Sequence, residues 1–434
     1  MDADGEKELI FLTIRVRSRT SAVLRLDWYE MALSDFDIAS LSALFERWGY
    51  PRGNAGRLLR RYYNCGAEGL DGTIVSPVVA SRLMQEVGLR GTSIASRREA
   101  ADGTVKLLVA LQAEKDERRT ANIKLPTASE APAERPVPAH RPLPTAHSSS
   151  TVECVLMPSH RPDRAAACVS SQVGCAMGCD FCASTKAGVE RSLTSGEIVE
   201  QFLWLRWEAL QLGRRLQTLV FMGMGEPLMN YDNVVAAIRR IAGGELGALG
   251  WRHVTVSTVG IVPGIDRLRE ENLGVHLAVS LHAPDDDTRS AIVPTGRRYR
   301  VADILAAVQR YQQASGRIAT IEYTLLEDVN DSDAQAELLA QRLADCTPDA
   351  TTHRDTRMHV NLIPYNSIGP GLSGRVYQRP QADRMNRFLE ILRDRGVVAH
   401  FRRTRGDDIE GACGQLRERV GSALDDSLRA PAQK

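Results

Sequence analysis

Cys175, Cys179 and Cys182 stand in the order Cys-Ala-Met-Gly-Cys-Asp-Phe-Cys. Three thiolates so close together suit an iron–sulfur cluster with one iron left unligated by protein. That iron can bind a small molecule and pass it an electron. A Cys₄ zinc site instead pairs two Cys-x-x-Cys knuckles, and no fourth ligand stands at that spacing here. Zinc with a distant fourth ligand and buried free thiols remain the alternative readings. Downstream comes Gly223-Met-Gly-Glu-Pro227. Glycines there let backbone approach a ligand, and the Glu226 carboxylate can accept hydrogen bonds from a cationic amine. Gly-x-Gly alone reads equally as a tight turn. Ser257, Ser280, Leu281, His282 and Asn361 lie at the ends of apolar runs, where polar groups either cap strands or converge on one mouth. Two further cysteines carry weight. Cys168 precedes the triplet, and Cys413 sits in a small-residue loop near the C-terminus, a setting that favours reactivity.

These residues need a frame that gathers them. Apolar runs suited to buried parallel strands occur at Ala165–Val169, Thr218–Met222, His253–Ser257, Val275–Leu281, Ala319–Leu325, Met358–Ile363 and Val397–Phe401. Helical stretches fall between them: one opening at Thr194 with Glu197 as a capping box, then Asn233–Ile241, Val301–Tyr311, Ala334–Leu343 and Ala382–Leu392. Repeated strand–helix units predict an α/β fold with a partial or full parallel (β/α) barrel. Its active site belongs at the C-terminal ends of the strands.

The first 114 residues read as a small helical accessory domain, with an apolar stripe from Leu41 to Phe45 and Trp48, and a strand at Val105–Gln112. Within it, Arg57 to Tyr63 interleaves arginines and tyrosines. That helix is either an RNA contact or an amphipathic surface helix with its aromatics in the core. Residues 115–150 turn to charges and then to Pro, Ala, Ser and Thr, too poor in large apolar groups to offset ordering entropy. They read as a flexible, dispensable insertion before a catalytic domain at 151–418 and a tail at 419–434. The 434-residue chain has 43% hydrophobic and 25% charged residues and a net charge of +1. It is globular in composition, with no strong overall nucleic-acid footprint. No signal-peptide core or membrane span is legible, and eight cysteines are too sparse for a disulfide scaffold. The expectation is a reduced, cytoplasmic protein.

The triplet, with Phe181 before its third cysteine, resembles that of radical S-adenosylmethionine (radical-SAM) enzymes. Four segments together resemble, in order, the signatures of the RlmN/Cfr family of radical-SAM RNA methyltransferases. They are Cys168-Val-Ser-Ser-Gln-Val-Gly-Cys175, Phe221-Met-Gly-Met-Gly-Glu-Pro227, Ser280-Leu-His-Ala-Pro284 and Arg405-Gly-Asp-Asp-Ile-Glu-Gly-Ala-Cys-Gly-Gln415. The resemblance implies a 4Fe–4S cluster on Cys175, Cys179 and Cys182. It implies SAM contacts from Gly225, Glu226, Ser257, Ser280, Leu281, His282 and Asn361. Cys413 becomes the methyl carrier, Cys168 its partner thiol and Glu153 the proton acceptor.

The implied reaction methylates a ring carbon of an adenosine in 23S rRNA, with tRNA as a further substrate of the RlmN branch. An adenine C–H carbon is a poor nucleophile, whereas a thiolate is a good one and can take a methyl from SAM by displacement. A second SAM, cleaved reductively, activates that methyl for addition to adenine. Cys168 then releases the product and leaves a disulfide. An electron donor such as flavodoxin or ferredoxin, RNA and a monomeric chain complete the expectation. Ser184-Thr185 and Gly188-Val-Glu-Arg-Ser-Leu193 depart from the family pattern and bear on the RNA substrate. Arg405-Gly-Asp-Asp-Ile resembles the RlmN branch and favours adenine carbon 2. Ser257-Thr-Val-Gly-Ile-Val-Pro263 looks more like the Cfr branch, which keeps carbon 8 open. A radical-SAM enzyme with a non-RNA substrate and a non-enzymatic iron–sulfur or zinc RNA-binding module are the rival readings.

Overall fold

Strands buried on both faces need helices over them, and alternating strands and helices supply that cover. The structure, a computed structural model, describes residues 31–65, 76–111, 150–346 and 358–417. Most of the insertion and the C-terminal tail lie outside the described residues. Seven strands run parallel: β4 (Arg164–Cys168), β7 (Arg215–Phe221), β8 (Val254–Thr258), β9 (His276–Ser280), β10 (Thr320–Leu325), β11 (His359–Pro364) and β12 (Ala399–Phe401). Between them come α4 (Ser195–Gln211), α5 (Tyr231–Ala242), α6 (Val262–Glu271), α7 (Asp286–Ile292), α8 (Val301–Ser315), α9 (Asp333–Asp345) and α10 (Ala382–Asp394). Thr194 Oγ1 accepts from Glu197 N (3.2 Å), and Glu197 Oε2 accepts from Thr194 N (2.8 Å), the expected capping box.

The sheet is a partial barrel. On the near side, β4 pairs antiparallel with β3 (Thr151–Pro158), β3 with β2 (Val105–Leu111), and β2 with β1 (Thr92–Glu99). The edges are β1 and β12. A short hairpin, β5 (Gln172–Gly174) and β6 (Val189–Ser192), stands apart and carries the cysteine loop between its strands. Residues 402–417 leave β12 and return to the near side. There Lys106 Nζ donates to Glu410 O (3.0 Å), and Arg417 N donates to Glu153 Oε2 (3.0 Å). This segment spans the open seam and brings Cys413 to the barrel mouth.

The N-terminal module is helical only in part, because the hairpin β1–β2 joins the main sheet. β1 was illegible in sequence, since Thr-Ser-Ile-Ala-Ser-Arg-Arg-Glu at a sheet edge buries too little to show alternation. Three helices precede or flank it: α1 (Ile38–Arg47), α2 (Gly53–Cys65) and α3 (Pro77–Glu86). On α2, Leu58, Leu59, Tyr62 and Tyr63 face the core, while Arg57, Arg60, Arg61 and Asn64 are exposed. The tyrosines are packing residues and cannot stack bases.

A buried carboxylate helps tie this module to the barrel. Glu200 of α4 accepts from Ser34 Oγ (2.6 Å), Gly91 N (2.7 Å) and Thr92 Oγ1. Burial pushes its carboxyl up to about 7. The folded state therefore favours the protonated form. The resulting stability is complete below the ordinary value near 4.5 and is lost as pH rises through about 7. Glu200→Gln should flatten the stability–pH curve between about pH 4.5 and 7.5. The difference from the parent should be on the order of 1–3 kcal/mol, read by denaturant unfolding across that range. Parallel curves would contradict it.

Candidate active site

Two loops at the C-terminal ends of β4 and β7 lock together and form the floor. Met224 N donates to Ser170 Oγ (2.9 Å), Ser171 N donates to Met224 O (2.8 Å), and Glu226 N donates to Gln172 Oε1 (2.9 Å). A Cβ on Gly225 (φ 95°) would stand 2.6 Å from Gln172 Cβ, and one on Gly223 would stand 2.7 Å from Ser170 Oγ. These glycines make room for the protein's own neighbouring loop, so the expectation that they serve ligand approach covers only part of their role. The two sequence segments occur together because each is built to fit the other.

Above this floor lies a cavity partly open to solvent. Cys175, Cys179, Cys182 and Cys413 line it, as do Gly225, Glu226, Ser257, Ser280 and His282. Leu281 and Asn361 do not. Leu281 is fully buried behind the wall. Asn361 Nδ2 donates to Glu322 Oε1 (2.8 Å), and Glu322 itself faces the cavity. His282 holds a left-handed backbone (φ 60°), and its Nδ1 accepts from Thr324 N (3.1 Å), so Nε2 carries the proton. Burial and the Arg289 charge hold it down at about 3, and it is neutral at physiological pH. Its ring meets Phe181 edge-on with centroids 4.8 Å apart. Glu226 accepts from Leu228 N (3.0 Å) and Val259 N (2.8 Å), and burial pushes it up to about 7. A cation entering the cavity would restore its charge.

The cysteine loop presents a donor set that fits a cluster. Thr185 Oγ1 donates to Cys179 O (3.1 Å) and Cys182 O (2.9 Å), and Cys175 N donates to Gly188 O (2.8 Å). Asp180 is clamped by Ser373 N (2.7 Å) and Tyr377 Oη (2.7 Å). Burial pushes the Cys175 thiol up to about 12 and raises Cys179 and Cys182, with the neighbouring sulfurs adding to the rise at Cys175 and Cys179. Such thiols give up their protons only to a strong positive centre. Among the described residues, no three His, Cys, Asp or Glu side chains converge tightly enough for a single metal ion. Three thiols on one loop suit a cluster, whose irons are separate points of attachment.

Cys168 and Cys413 come together here from distant parts of the chain. Burial first, then Cys413, pushes the Cys168 thiol up to about 12, while Arg402 opposes that rise. Arg402 follows β12 directly, lines the cavity and stands 3.5 Å from Glu322. The nearby Cys413, Glu322 and Cys168 hold its proton more firmly than usual, against its burial. Arg402 was missed in the sequence, although its place at the end of a barrel strand was a usable signal. Both cysteines are free thiols, so the disulfide expected from the family resemblance is not a feature of this structure. A thiol pair is the form a carrier must have before it accepts a group.

Glu153 does not reach the cavity. It makes a buried ion pair with Lys106 Nζ (3.0 Å), the side chains being 4% and 2% exposed for Lys106 and Glu153. Of the residues that depart from the family pattern, Ser184 Oγ donates to Leu416 O (2.5 Å) and Ser192 Oγ accepts from Gln172 Nε2 (3.3 Å). Both are structural ties. No helix among the described residues is long and apolar enough to cross a membrane.

Residues 169–339 match the radical SAM superfamily. A probable dual-specificity RNA methyltransferase RlmN 1 of Opitutus terrae is 49% identical over 90% of this chain and 98% of its own length. The corresponding RlmN protein of Symbiobacterium thermophilum is 38% identical over 92% of this chain and 94% of its own. The crystal structure of a radical SAM methyltransferase from Sphaerobacter thermophilus superposes with a TM-score of 0.73 at 37% identity. That match covers 89% of this chain and 99% of the other.

Proposed function

We propose, for a chain that belongs to the RlmN family of radical-SAM RNA methyltransferases, that it methylates carbon 2 of an adenosine in 23S rRNA, and of tRNA as well, through a methylated cysteine. Its cofactors are a 4Fe–4S cluster and SAM. The observation that carries the reading is that Cys413 and Arg402 line one cavity with the cysteine triplet, with the buried Cys168 close enough for both to act on its charge. When bound, the cluster supplies one electron and SAM supplies both the methyl group and the means to activate it.

The protein's own residues do the rest. Cys175, Cys179 and Cys182 hold the cluster. Glu226 takes the amine of SAM, Gly225, Ser257, Ser280 and His282 line its seat, and Leu281 and Asn361 support that wall from behind. Arg402 sets a positive charge beside Cys413, the methyl acceptor. Glu153 takes the ring proton, which requires one of its oxygens to leave Lys106 or the Arg417 N–H. Cys168 attacks the Cys413 sulfur, and the S–S bond forms as the bond from sulfur to the transferred carbon breaks. The protein is placed in the cytoplasm as a monomer served by a flavodoxin- or ferredoxin-type donor.

RNA bearing deuterium at adenine C2 or at C8 tests the position. Loss of the C2 label on methylation is the expected mass spectrum, and loss of the C8 label would move the protein to Cfr-type chemistry. Arg402→Gln should slow S-methylation of Cys413 by about 10- to 100-fold, the size of a charge-assisted contact of ~1.5–3 kcal/mol. Arg402→Lys should recover part of that rate. A time course of S-methylcysteine by peptide mass spectrometry checks both.

A further inference from the structure

A second cavity lies at the opposite end of the sheet from the cysteines. Arg164 and Arg215 are the first residues of β4 and β7, His253 immediately precedes β8, and Arg206 comes from the last turns of α4. All four line the cavity, and no carboxylate does. Asp163 stands 3.9 Å from Arg164 Nε, with 72% of its side chain exposed. Neutral groups help to aim the guanidinium groups. Arg164 Nη1 donates to Gln217 Oε1 (2.7 Å), and Arg206 donates to Gly247 O (3.0 Å) and Asn64 Oδ1 (3.3 Å). His253 reports the resulting field. Burial, then Arg252, Arg215, His276 and Arg164, hold it below its ordinary value.

Asn64 joins this cavity to α2. Arg57, Arg60, Arg61 and Asn64 recur at helical spacing on the exposed face of that helix. We propose that the cavity and this face of α2 form one track for the phosphate backbone of RNA, remote from the reacting adenosine. The proposal rests on RNA being the substrate and adds where its body is held. Arginine forks match phosphate oxygens, and such contacts position a nucleic acid without reading its sequence. Strands of five to seven residues put the track roughly 20 Å from the catalytic mouth. It would therefore engage nucleotides well away from the target. A site for one free anion would need no continuation along α2.

Two double variants test the track: Arg164→Gln with Arg215→Gln, and Arg60→Gln with Arg61→Gln. RNA affinity is measured between about 50 and 200 mM salt, the range in which counterion release is steep. Each pair should weaken binding and lower the salt slope by about 1.5, at roughly 0.7–0.9 per lost phosphate contact. Iron content, thermal melting and SAM cleavage without RNA serve as controls for folding. Arg215→Gln alone, at an exposed strand start, repeats the test should the pair misfold. The imidazole NMR signal of His253 should shift with oligoribonucleotide. Saturation by pyrophosphate with no response to RNA would make this a free-anion site and overturn the proposal. Well-folded variants that bind RNA with parental affinity and slope would overturn it too. If the parent methylates no RNA yet loses RNA binding in these variants, the track stands and the catalytic reading fails.

Discussion

Cys168→Ala is expected to accumulate RNA bonded covalently to Cys413, and Cys413→Ala to accumulate none. Cys413 lines the cavity and Cys168 is buried within reach of its charge, but the two act at different steps. Without Cys413 there is no acceptor, so neither S-methylcysteine nor methylated RNA forms, while cluster content is retained. Without Cys168, methyl loading and addition to adenine proceed, but no thiol attacks the Cys413 sulfur to free the product. The adduct should migrate as a shifted band on a denaturing gel and collapse on nuclease digestion. Product formation should fall by several orders of magnitude in both variants, since each lacks a reacting atom. Normal turnover by Cys413→Ala would refute the carrier mechanism. Normal turnover by Cys168→Ala would return that thiol to a structural role.

Lys106→Met should destabilise the protein by about 3–5 kcal/mol, because it leaves the Glu153 carboxylate buried without its partner. The same change removes the donor to Glu410 O and loosens the segment that carries Cys413. Adding Glu153→Met should restore most of the stability, since an apolar pair of similar volume replaces a buried ion pair at little cost. It should not restore methylation. Denaturant unfolding of both variants, alongside product yield, separates the two effects. A single variant as stable as the parent would show that the pair is not a buried charge pair in solution. A double variant with full activity would remove Glu153 from the reaction.

Much of the frame was legible because it is written in local pattern. All seven parallel strands fall within a few residues of the apolar runs, and the Thr194–Glu197 cap forms where its spacing predicts. The helices α6 and α7 were not read, being short and, in α7, largely polar. The polar edge strand β1 escaped for the related reason that it buries too few residues to show a period. On α2 the sequence left two readings, and only packing placed Tyr62 and Tyr63 inside with the arginines outside.

The cysteine triplet, the interlocking segments 168–175 and 223–227, and the cysteine at 413 belong to the sequence alone. Their residue types and spacing fix which chemistry is available. Which groups stand beside one another was decided by the tertiary structure. The contacts that close the site join Ser184 to Leu416, Glu153 to Arg417 and Lys106 to Glu410, across 232, 264 and 304 positions. No local propensity carries such contacts, because they exist only once the sheet has curved and residues 402–417 have crossed its open seam. That crossing sets Arg402 beside two thiols, withdraws Glu153 behind the wall and leaves Asn361 acting through Glu322. Burial then sets the proton affinities of the gathered groups, since the cost of a charge depends on the space around it and not on its place in the chain.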